Sequence, residues 1–134
     1  MLGLLDAALA DARKGVRLAP LRADAHLSLA IALLHDGDVR AARASLARAE
    51  RLPLPPNLTH KASSAEWEAS VLADLAQWRI ALAAADSAAG GTGSGGDLAA
   101  ALNHLQRAVE LAPGSGTYRR LLDVARRRCH QLAA

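Results

Sequence analysis

The chain has 134 residues, of which 33 are Ala and 24 are Leu, so strong helix formers dominate it. Five Val, two Ile, three Thr, two Trp, one Tyr and no Phe are too few to cover the half-buried face of a sheet, which excludes all-β and α/β domains. An apolar fraction of 51% with a formal charge of only +3 excludes disorder, and the single Cys, Cys129, cannot form a disulfide within the chain.

Residues 1–19 read as the first helix, with Leu5, Leu9 and Ala12 on its apolar side. Asp6 and Asp11 interrupt that stretch, as they would not in a secretory or transit peptide. The expected location is therefore an intracellular, reducing compartment, and the sequon at Asn57–Thr59 is expected to stay unmodified. No apolar run approaches the roughly 18 residues of a membrane span.

His26, Leu29, Ala30 and Leu33 place one apolar stripe on a second helix. Gly37 suits a left-handed helix end, and Asp38 suits the N-cap of a third helix carrying Val39, Ala42, Leu46, Ala49 and Leu52. Pro53, Pro55 and Pro56 stop it. Ser63 and Glu66 then form a capping-box pattern, and neither Gly nor Pro follows until Gly90. Trp67, Val71, Leu75, Trp78, Leu82 and Ala85 recur on one face, which predicts one helix of about 25 residues, or about 37 Å. Gly90–Gly96 reads as a flexible connector and Asp97 as the N-cap of the next helix. A closing helix, about 117–131, carries Leu121, Leu122, Ala125, Cys129 and Leu132 on one side.

The chain also repeats itself. A shift of 34 residues lays Ala8 on Ala42, Ala12 on Leu46 and Leu18 on Leu52. Residues 23–56 resemble the tetratricopeptide repeat, a helix–turn–helix of about 34 residues. Ala42-x3-Leu46 stands at its A-x3-F, His26 and Leu33 replace aromatics, and Ala30 stands at its small position. Ala101-x3-Leu105, Ala108, Leu111 and Pro113 repeat the second half of the motif, and Ala8, Ala12, Leu18 and Pro20 give a partial first copy.

The resemblance implies an all-α fold: a short right-handed α-solenoid of such hairpins, with one elongated helix and a C-terminal capping helix. It reads as one domain over 1–134: a half repeat at 1–19, a full repeat at 23–56, a repeat with the long helix and Gly-rich insertion at 57–113, and a closing helix at 117–132. Helix 1–19 then lacks its usual covering helix, so its apolar side is expected to meet another chain or further repeats.

The family implies a non-catalytic interaction scaffold, here expected as a subunit of a larger assembly. The alternatives are a peptide-binding adaptor with an apolar groove and an accessory subunit of a ribonucleoprotein complex. By the family's register, the groove positions are Asp24, Leu27, Ile31, Leu34 and His35. They either receive an apolar partner segment or lie beneath the long helix. Family members that clamp a terminal carboxylate use Lys, Asn and Arg where this chain has Leu27, Ser28 and Ile31, so that activity is not expected.

Two further surfaces follow from the residues themselves. The overhanging part of the long helix, with Trp67, Val71 and Leu75, is expected to contact another chain, unless it folds back over Leu27, Ile31 and Leu34. On the closing helix Arg119, Arg120, Arg126 and Arg127 project within about 120° of one another, with Arg128 to the side. Such a face either meets acidic protein, RNA or a membrane surface, or is simply solvated. The expected partners are proteins, by heteromeric assembly or self-association, with nucleic acid entering only through this basic face.

No cofactor, metal or catalytic residue is expected. Gly91, Gly93 and Gly96 match G-x-G-x-x-G, but no strand precedes them and no Lys accompanies them. The five His show no helical pairing, and Asp36-Gly37-Asp38 is explained by the helix turn. Cys129 lies on an apolar side with His130 turned about 100° away, and Glu66 and Glu68 point apart on one helix.

Overall fold

The computed structural model describes residues 2–53 and 63–133. The expected stop at Pro55 and Pro56 and the sequon Asn57–Thr59 lie outside the described residues, as does the side chain of Leu132. Among the described residues there are six α-helices and no strand. They fall into two compact units, Met1–Pro55 and Pro56–Ala134.

The first unit contains α1 (Leu2–Leu18), α2 (Ala23–His35) and α3 (Val39–Arg51). α2 is the central element, packing on both α1 and α3. It buries Ala23, Ala30, Ala32 and Leu33, while α3 buries Ala42, Leu46 and Ala49. The α2–α3 turn forms as its residues dictate. Gly37 takes φ 86°, its N–H bonds the Leu34 carbonyl at 3.1 Å, and the Asp38 N–H bonds the Leu33 carbonyl at 3.0 Å. This pair of bonds satisfies the last carbonyls of α2. The Asp38 side chain then accepts the Ala41 N–H at 3.1 Å and caps α3.

The apolar side of α1 is covered in part: Leu9 is buried, whereas Leu5 and Ala12 keep part of their surface exposed. α1 packs on α2, and Leu9 is only 6% exposed. A turn at Pro20 and Leu21 makes this packing feasible, and His26 holds it by donating from Nε2 to the Pro20 carbonyl at 2.7 Å.

The second unit contains α4 (Ser64–Ala88), α5 (Ser94–Leu111) and α6 (Gly116–Ala133). The capping box forms at the start of α4: Ser63 Oγ accepts the Glu66 N–H at 3.1 Å and Glu66 Oε2 accepts the Ser63 N–H at 3.2 Å. α5 packs on both α4 and α6. Their shared core is built from Ala73 and Ala76, Ala101 and Leu105, and Leu122 and Ala125, flanked by Ile80 and Val109. So many alanines let the helix axes approach closely, and close approach compensates for the small area each residue buries.

The glycine segment differs from the sequence reading. α5 begins at Ser94, with Gly93 rather than Asp97 at its N-cap. Gly90 takes φ 77°, its N–H bonds the Ser87 carbonyl at 3.1 Å, and the Gly91 N–H bonds the Asp86 carbonyl at 2.8 Å, ending α4 as Gly37 ends α2. The Asp86 carboxylate reaches over this turn to accept the Gly93 N–H at 2.7 Å. A Cβ on Gly91 would lie 2.5 Å from that carboxylate. The segment is therefore a hydrogen-bonded turn plus the first turn of α5, and not the flexible connector its composition suggests.

Candidate docking surfaces

Small residues on α1 create a hollow in the first unit. Ala8, Ala12 and Gly15 lie three and four residues apart on one side of the helix, where they leave the space a larger side chain would fill. Facing them, α2 presents Ile31, and the result is an open groove of about 490 Å³. Its walls are mainly apolar, with Asp11, Ser28 and His35 contributing polar side chains. Leu4 and Leu18 flank Asp11 seven residues to either side on α1, and they are 73% and 75% exposed. Leu21, in the following turn, is 71% exposed. Exposed leucines beside an apolar groove are a feature of interaction surfaces.

Of the groove positions expected from the sequence, Ile31 and His35 line this hollow, as does Ser28. Leu27 and Leu34 are half-buried and do not line it. Asp24 is tied to its own helix start, where Arg22 Nε and Nη2 donate to its two carboxylate oxygens at 3.0 and 2.9 Å. These hydrogen bonds, and then the guanidinium charge, hold the Asp24 carboxyl below its ordinary value despite some burial. The stabilisation from this pairing is present above the ordinary carboxylate range and fades as the pH falls through the lowered value.

On α4, Trp67 and Val71 are half-buried, and Leu75 is 7% exposed. Leu75 is therefore interior, and it drops out of the expected contact row. The four arginines of the basic face are all exposed on α6. Asp123 stands three or four residues from each of them, and its Oδ1 lies 3.9 Å from Arg126 Nη1. Arg120 turns its Nε to the Gly116 carbonyl at 3.3 Å. The face is thus four positive charges around a negative one, a pattern that was legible from the i±3 and i±4 spacing alone.

One buried charge pair is absent from the sequence reading. Arg79 Nη1 donates to Asp97 Oδ1 at 2.8 Å, with the two side chains 11% and 1% exposed. It joins α4 to the first turn of α5 and has a structural role. Cys129 is half-buried. Among the described residues, no group of three His, Cys, Asp or Glu side chains is placed to hold a metal ion, and no helix is long and apolar enough to cross a membrane. No protein-family model matches this sequence, and comparison with curated proteins finds no similar chain.

Proposed function

We propose that this chain is a non-catalytic protein-interaction module of tetratricopeptide type, serving as a subunit of a larger assembly. One observation carries the reading: α1 walls an open apolar groove and also carries the exposed leucines Leu4 and Leu18. Burial contributes about 25 cal/mol per Å² of apolar surface, so covering this region with a partner segment is a substantial driving force. The α2–α3 hairpin supports the family reading. Its two helices have 13 residues each, and both Ala30 and Ala42, at the motif's small positions, are buried.

The test is affinity capture with the tagged full chain from cells that express it, followed by mass measurement of the intact complex. Ala8 is exposed and lines the groove, so Ala8→Arg obstructs the seat without entering a core. A stoichiometric protein partner is expected with the native chain, reduced by about tenfold or more with Ala8→Arg, the scale on which a central interface residue acts. Equal capture by both chains, or capture of no stoichiometric partner, contradicts the proposal.

A further inference from the structure

The second unit has a groove of its own, of about 390 Å³. Ile80, Ala83, Ala84 and Leu98 give it apolar walls, and α6 contributes Arg128 and Gln131 to its lining. Arg128 is exposed, and no ion pair joins it to a carboxylate among the described residues. Val124, one turn earlier on α6, is 43% exposed, and Arg127 follows it by three residues. An apolar recess thus adjoins an unpaired guanidinium, with more positive charge and one more apolar side chain alongside.

We propose that this groove docks an acidic segment of a partner protein, seating one bulky apolar side chain against Ile80 and Leu98 and a neighbouring carboxylate on Arg128. A planar guanidinium donates paired hydrogen bonds to a carboxylate, and Gln131 supplies a further amide donor. The charge pattern selects protein over the other polyanions. Asp123 stands among the remaining arginines, where it repels a continuous track of phosphates. Tyr118, the aromatic residue of α6, is half-buried and leaves no exposed stacking platform beside the arginines. The apolar side of α6 is committed to the core through Leu122 and Ala125, so the helix has no face left to embed in a bilayer.

The experiment is fluorescence anisotropy of the full chain with a fluorescein-labelled peptide of two central leucines flanked by glutamates, at physiological salt. Saturable binding is expected. Arg128→Glu and Ala84→Trp, which fills the groove, should each weaken it by about tenfold, and so should replacing the peptide's leucines by alanine. Gln131→Lys should tighten it by about threefold, a gain that a misfolded variant would not give. Arg119→Glu, the same charge change on another side of α6, should weaken it by less than about threefold. Absence of saturable binding overturns the proposal, as do equal losses from Arg119→Glu and Arg128→Glu or indifference to the peptide's leucines. Tighter binding to a short RNA duplex or to phosphatidylserine vesicles than to the peptide overturns it equally.

Discussion

Asp86 and Asp97 are the buried carboxylates among the described residues, and both serve the junction of α4 with α5. Asp86 clamps the turn through the Gly93 N–H, and Asp97 neutralises Arg79 inside the unit. Removing one partner of a buried pair strands the other charge, at a cost of about 3 kcal/mol or more. Asp97→Ala is therefore expected to lower unfolding free energy in urea by about that amount at neutral pH. A loss below about 1 kcal/mol would show that the pair is solvated and that α5 is held by packing alone. The roles of Gly37 and Asp38 were legible in the sequence because a left-handed glycine and an N-cap act locally. Asp97 was misread for the same reason. Preceded by glycines and followed by Leu-Ala-Ala, it has every local mark of an N-cap, yet the helix starts a turn earlier, where Asp86 accepts the Gly93 N–H.

At the level of elements, the bounds of α4 match the sequence reading because a capping box opens it and a left-handed glycine closes it. Its faces were harder to rank. The large residues Trp67, Val71 and Leu75 drew attention as a contact row, whereas the side that joins the three-helix core is the small row containing Ala73 and Ala76. Alanine carries little hydrophobic signal per residue, so a close-packed alanine seam is weak in sequence and decisive in structure. Two substitutions separate the roles along the large row. Leu75→Ala is expected to destabilise the chain by about 2–4 kcal/mol, as truncation of a buried leucine does. Trp67→Ala should lower stability less, because Trp67 keeps part of its surface in solvent. A larger loss at Trp67 than at Leu75, measured by thermal melting, would make Trp67 a core residue and remove it from any interaction surface.

For the molecule as a whole, each unit is a three-helix arrangement in which a central helix packs on two neighbours, α2 in the first and α5 in the second. The all-helical class was legible from composition because few residues here favour strands. The groove of the first unit was legible only at Ile31 and His35, and that of the second not at all, since a groove arises where small residues on one helix face larger ones on another, and that pairing is a tertiary fact. On the proposed function, the first unit seats the partner between α1 and α2. Amide hydrogen exchange of the full chain, with and without the protein recovered by affinity capture, tests it most directly. New protection is expected to concentrate in residues 2–35, and unchanged exchange there with protection confined to α4–α6 would refute a seat between α1 and α2.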